Sequence, residues 1–290
     1  MKKINSLYFL LPIFLMGLSA CTHEDDGQLW QGKEIKLSHR IIPSTRVAGQ
    51  GLQSTQIAVG RTLGVTITGA QSAHANAAWT VREDGSLTPV EEKVKWGNTE
   101  IGIVAYHPHD AQWTGSTHTF TVCTDQGTEE GYLSSDLLWA TATASPADQS
   151  VNLGFTHKLA KLSVALSSDD IDDLSGAEVL VCATMVSAGF NPLSGELAGA
   201  AGSVAEISAG NLTESISTLS AIVVPQKVKA GSELIKIVHA GKEYKYTLLE
   251  DMTFKSGYSY HLVLKILGAD TPKVVKIVSG GVNDMDNVEW

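Results

Sequence analysis

The sequence predicts an all-β protein, on three observations. Apolar residues recur at period two in many short runs, turn signals separate those runs at regular intervals, and no stretch has the 3.6-residue periodicity of an amphipathic helix. With 290 residues, 43% hydrophobic and 18% charged, the chain is long enough for two modest domains.

Residues 1–20 are expected to lie outside the fold. Lys2 and Lys3 precede a short apolar run, Leu7–Leu18, and Leu18-Ser19-Ala20-Cys21 has the form of a lipoprotein cleavage and lipidation signal. The apolar run is short for a membrane span. Several acyl chains on Cys21 would form a stable anchor in outer-membrane lipid, because each buried methylene contributes about 0.8 kcal/mol. The next residues, Thr22-His23-Glu24-Asp25-Asp26, form an acidic tether.

The first strand falls within Leu29–Ile42. Ile35, Leu37, His39 and Ile41 share one parity, and Glu34, Lys36, Ser38 and Arg40 take the other. Pro43 breaks the run, and Arg46-Val47 follows in a glycine-bearing stretch, where an exposed basic residue offers a proteolytic site. Arg40 is the second choice.

Gln56–Thr68, the run around Trp79-Thr80-Val81, and Leu87–Trp96 read as short strands, with Asp84-Gly85 as a hairpin signal. Ile101–Tyr106 is apolar on both parities and is expected to be central. Thr117–Cys123 is Thr-rich. In Val151–Leu166, Leu153, Phe155 and Leu159 set one phase and Leu162, Val164 and Leu166 the other. The reading is one long strand with a bulge or bend that redirects side chains to a second face. Ser167–Asp173 is a polar, acidic break and the expected domain boundary. Glu178–Met185, Ile222–Val224, Glu233–His239, Glu243–Leu249 and His261–Leu267 are further strands, and Ala240-Gly241-Lys242 is a hairpin turn. Glu196–Asn211, rich in Ala, Gly and Ser, is a poor candidate for a long helix. Val274, Val275, Ile277 and Val278 mark an apolar tail segment.

Several of these segments carry a resemblance. Phe155-Thr156-His157-Lys158-Leu159-Ala160-Lys161-Leu162, Tyr106-His107-Pro108, Asp136-Leu137-Leu138-Trp139-Ala140, Val224-Pro225-Gln226 and Phe254-x-x-Gly257-x-x-Tyr260 occur in the order found in bacterial fimbrillins, and the chain resembles that family of lipoprotein pilins. The resemblance implies two tandem β-sandwich domains of transthyretin-like type after a lipoprotein signal peptide. The expected division is 1–20 signal peptide, 21–46 lipidated propeptide with a removable strand, 47–168 first domain and 169–290 second domain. It also implies a pilin subunit of surface fimbriae, cleaved after Arg46 by an Arg-directed protease and polymerised by strand exchange. Ile35, Leu37 and Ile41 would vacate a groove that Val275 and Ile277 of another pilin subunit refill. Outer-membrane location and adhesion to a host or bacterial surface receptor go with that reading.

The chemistry in the sequence is sparse. The chain carries 21 basic and 31 acidic residues, and loss of residues 1–20 removes only basic ones, so a nucleic-acid partner is not expected. Cys123 and Cys182 could pair or stay as buried thiols. His107-Pro108-His109-Asp110 lacks a third ligand at metal spacing and reads as a loop. Asp169, Asp170, Asp172 and Asp173 lack the glycine and closing Glu of a calcium loop. His157 reads as a hydrogen-bonded core histidine. No G-x-S-x-G places a nucleophile. The expectation is no enzyme, no metal and no cofactor beyond covalent lipid. The six Trp raise the alternative of a monomeric, glycan-binding surface lipoprotein, although Trp79, Trp96, Trp113 and Trp139 lie in or beside strands, where core packing is the commoner role.

Overall fold

The computed structural model describes residues 31–42, 53, 55–72, 74–211 and 218–266. The all-β expectation holds. Seven strands make the first unit: β1 (Leu37–Ile41), β2 (Thr62–Thr68), β3 (His74–Val81), β4 (Ser86–Pro89), β5 (Ile101–His107), β7 (Leu138–Ala144) and β8 (Val151–His157). They hydrogen-bond in the order β1-β4-β3-β2-β5-β7-β8, and a parallel β1–β8 pairing closes the ring into a barrel. Its core includes Ile35, Leu37, Ile41, Leu63, Trp79, Trp96, Ile103 and Phe155. β5 lies between β2 and β7, and in a closed ring no strand is more central than another. Its two-sided apolar pattern reflects two cores, with Ile101, Ile103 and Ala105 in the barrel and Tyr106 in the second unit's core. Gly64 in β2 is required by space, because the Tyr106 ring from β5 lies where a Cβ would stand.

The second unit has two larger sheets over one core. β10 (Glu178–Phe190) pairs with β11 (Leu197–Ala209) along one side. Its other side takes β14 (Glu233–His239) at one end and β6 (His118–Thr121) at the other, and β15 (Lys242–Thr247) continues from β14. The facing sheet runs β12-β9-β17, with β12 at Thr218–Val223, β9 at Ala160–Ser168 and β17 at Ser259–Ile266. A two-residue pair, β13 (Lys227–Val228) with β16 (Met252–Thr253), completes the strands. The β14–β15 turn is the expected one, with Ala240 and Gly241 both at positive φ.

Two expectations change here. Val151–Leu166 is two strands in two sheets: β8 belongs to the barrel and β9 to the second unit, with only Lys158 and Leu159 between them. The phase change marks a crossing between cores. The change of sheet therefore precedes the acidic break at Ser167–Asp173, so the 47–168/169–290 division is not the division between sheets. The units also interlock. Between β5 and β7 the chain leaves the barrel, adds β6 to the second unit, and forms a helix, α1 (Glu129–Ser135), before returning. Thr128 caps α1 by accepting from the Gly131 amide, and Tyr132, Leu133 and Leu137 fill the second core. Glu196–Asn211, which gave no clear pattern, is mostly β11.

The quoted motifs have structural roles. Phe254 and Tyr260 meet edge to face at 5.1 Å, and the Tyr260 hydroxyl accepts from the Lys255 amide and donates to Thr253 O, both at 2.8 Å. Gln226 stitches the irregular middle of β10, accepting from the Met185 amide and donating to Met185 O, each at 2.9 Å. On the side of β10 away from β11, β14 pairs only as far as Val181 and β6 starts only at Ser187, so Met185 falls between them and the side-chain amide supplies both partners.

Candidate functional site

The residues predicted to leave the fold together sit in the seam that closes the barrel. Ile35, Leu37 and Ile41 are each at most 2% exposed. Burial on one face imposed the period-two pattern seen in the sequence. β1 runs parallel to β8 from Leu37–Val151 to Ile41–Phe155. On its other side it meets β4 antiparallel through Leu37–Leu87 and Ser38–Ser86. The pairing extends before β1: Ile35 N donates to Val94 O at 2.8 Å, and Trp96 N to Lys33 O at 2.9 Å. At the end of β1, Ile41 N donates to Thr55 O, and just beyond it Ile42 N donates to Phe155 O, both at 2.8 Å. Without this segment, β8 and the 85–96 stretch would each present an unpaired edge beside an apolar slot.

One inward position in the seam is polar. His39 is 3% exposed. Its Nδ1 lies 2.9 Å from Gly85 O, and its Nε2 lies 3.1 Å from the Ile57 amide. A carbonyl only accepts and an amide only donates, so the ring is neutral with its proton on Nδ1. Burial pushes its pKa below the usual histidine value, against the opposing effect of the two backbone hydrogen bonds. Phe155 packs edge-on to the ring at 6.5 Å.

At the junction of the units, two motifs read separately in the sequence meet. Asp136, fully buried, accepts from His157 Nδ1 at 2.8 Å and from Gln53 Nε2 at 2.9 Å. His157 is therefore a hydrogen-bonded core histidine, as expected. Lys161, 8% exposed, is pushed below the usual lysine pKa by burial, and Asp136 opposes that shift. Sequence reading missed Gln53, which carries no pattern of its own.

Among the other candidates, His107 is buried, with Nδ1 3.0 Å from Thr62 O and Nε2 3.3 Å from Leu133 O. His109 faces Asn76 O at 3.2 Å. Among the described residues no three His, Cys, Asp or Glu side chains cluster as metal ligands. Asp169 pairs with Lys265, and Asp173 accepts from the Ser175 amide. Cys123 and Cys182 are both free thiols. Cys21, Arg46, Val47, Val275 and Ile277 lie outside the described residues.

Of the four described tryptophans, three pack inward. Trp79, Trp96 and Trp113 are at most 5% exposed. Trp113 borders a cleft of about 650 Å³ that also includes His74, Asn76, Glu91, Glu92 and Leu193. Its ring is stacked against Tyr106 at 5.0 Å and His118 at 5.8 Å. Burial pushes the Tyr106 hydroxyl up to about 12, against hydrogen bonds to Asp110 and Asn76. Trp139 is half-buried, with Lys158 Nζ 5.5 Å from its ring centroid and Gly195 close against the ring. Trp79 and Trp96 are sealed in the barrel core, where neither ring can take part in stacking on a sugar.

The architecture is that of an all-β protein of two interlocked units whose first strand closes the seam of a barrel. Residues 45–284 match the sequence profile of the fimbrillin-like family, and the chain belongs to that family. No curated protein matches it in sequence. In fold it is similar to a candidate cell adhesion protein from Bacteroides ovatus, with TM-score 0.64 and 20% identity over 81% of this chain and 93% of that one. A candidate cell adhesion protein from Bacteroides uniformis gives TM-score 0.61 and 20% identity over 81% and 94%. A fimbrial protein from Bacteroides ovatus gives TM-score 0.51 and 13% identity over 88% of this chain and 56% of that one.

Proposed function

We propose that the chain is a structural pilin subunit of surface fimbriae that support adhesion. In this reading it is exported as a lipoprotein anchored through Cys21 in outer-membrane lipid, cleaved after Arg46 by an Arg-directed protease, and polymerised with other pilin subunits by strand exchange. Family membership supports the pilin class. The observation that carries the assembly step is β1 itself. It completes the barrel, yet it is the first strand among the described residues and lies just upstream of Arg46 in the sequence.

Three fully buried apolar side chains contribute roughly 5–9 kcal/mol before entropy is counted, comparable to the net stability of a domain. Loss of β1 after cleavage would expose that apolar slot and two strand edges, which an added strand can satisfy together. Lys273–Ser279 of a neighbouring subunit is the proposed donor. Arg-specific cleavage should convert the wild-type protein into SDS-resistant multimers, while R46A stays monomeric and a chain truncated before Lys273 accepts a strand but cannot donate one. A cleaved wild-type protein that stays monomeric would sink the proposal.

A further inference from the structure

The seam left by β1 is not uniformly apolar, and its polar position restricts what can refill it. At the third inward position, His39 bridges an acceptor, Gly85 O, and a donor, the Ile57 amide. Both belong to the barrel and would remain when β1 departs. A purely apolar replacement would leave the Ile57 amide without an acceptor and Gly85 O with only the strand's own backbone amide as donor. The side chain taking this place has to accept from the Ile57 amide and, as His39 does, can also donate to the second lone pair of Gly85 O. Neutral His, Asn, Gln, Ser and Thr can do so; Val, Ile and Lys cannot.

Resting on the strand-exchange reading, we propose that this buried polar pair sets the register of the incoming strand, with Ser279 of a second copy in the place of His39. In that register Val275 takes the place of Ile35 and Ile277 that of Leu37. The inward sequence Ile-Leu-His is thereby matched by Val-Ile-Ser. Shifting the tail by two residues toward its C-terminus would put Ile277 at the polar position. The opposite parity offers Lys276, which can donate to Gly85 O but has no lone pair for the Ile57 amide. The Ser279 hydroxyl has both functions and, being shorter than imidazole, can reach one partner through a water.

The backbone agrees with this register. β1 donates from the amides of Ile35, His39 and Ile41 to Val94, Gly85 and Thr55. The corresponding residues, Val275, Ser279 and Gly281, are not proline, so an incoming strand running in the same direction can repeat all three bonds. Gly281 leaves the Ile41 slot empty, so side-chain volume alone would not select this register.

The test uses the full chain and reads two quantities. After Arg-specific cleavage, S279V should give about tenfold less SDS-resistant polymer than wild type or S279T, the effect expected when one buried backbone amide loses its acceptor. In the uncleaved protein, H39L should melt well below H39Q, which keeps a donor and an acceptor. Polymer from S279V equal to wild type overturns the register, and equal melting of H39L and H39Q overturns the polar requirement. Absence of polymer from cleaved wild type, with the melting difference intact, locates the failure in strand exchange and overturns the register with it.

Discussion

Replacing Asp136 by Leu should be among the most damaging single changes in this chain. The carboxylate is fully buried, and His157 Nδ1 and Gln53 Nε2 both donate to it. D136L takes away the carboxylate that both side chains share and removes the attraction that offsets the burial of Lys161. Breaking a buried pair from one side costs about 3–5 kcal/mol. At roughly 2–4 °C per kcal/mol for a chain of this size, the melting temperature should fall by roughly 6–20 °C. The double variant D136L/H157F removes both partners and fills the space with apolar atoms, so it should recover more than half of the loss. Thermal and urea unfolding of wild type, D136L, H157F and the double variant close the cycle. A D136L protein melting within about 2 °C of wild type would refute the reasoning, since that is less than about 1 kcal/mol.

Burial elsewhere in the two cores leads to two other expected outcomes. Phe155 is fully buried in the barrel, so F155D should cost about 4 kcal/mol or more, whereas K158D, which loses an ammonium over the Trp139 ring, should cost only about 0.5–1 kcal/mol; similar urea midpoints would contradict this. Burial holds both His39 and His107 below the ordinary imidazole value, so the unfolded chain binds protons first as the pH falls. Their contribution to stability is complete above about pH 6.5 and is lost as the pH drops toward the folded values, by up to about 1.4 kcal/mol per pH unit for each group. Urea midpoints that do not fall between about pH 7.5 and about pH 5.5, or an H39Q variant with an undiminished slope, would count against it.

What the sequence made legible was the part imposed by one-sided burial. Ile35, Leu37, His39 and Ile41 share a parity because one face of β1 is sealed in the barrel. Asp84-Gly85 and Ala240-Gly241 were legible because tight turns demand particular backbone conformations. The change of phase in Val151–Leu166 was visible, but its meaning was not: a bulge and a crossing into a second sheet leave the same local pattern, and only the partners of β8 and β9 tell them apart. β11 escaped because much of it is exposed at a sheet edge, where small residues on both faces leave no alternation. α1 spans seven residues, too few for periodicity, although Thr128-Glu129-Glu130 carried a cap and two acidic residues in the first turn. Of the candidate site, the apolar positions could be read from spacing. The roles of His39 and Gln53 could not, because Gly85, Ile57 and Asp136 approach them only through folding.

The passage from β8 into β9 has a mechanical consequence. Tension entering at the barrel seam would reach β9 at Ala160 through a connection of only two residues. Tension leaving through the C-terminal end of β17 would act at Ile266, beside Ser168 at the far end of β9. Because β9 and β17 are parallel from Lys161–Ser259 to Ser168–Ile266, the two forces pull along the strands in opposite directions from opposite ends. The ladder is then loaded in shear, with its hydrogen bonds sharing the force, instead of being peeled open one bond at a time.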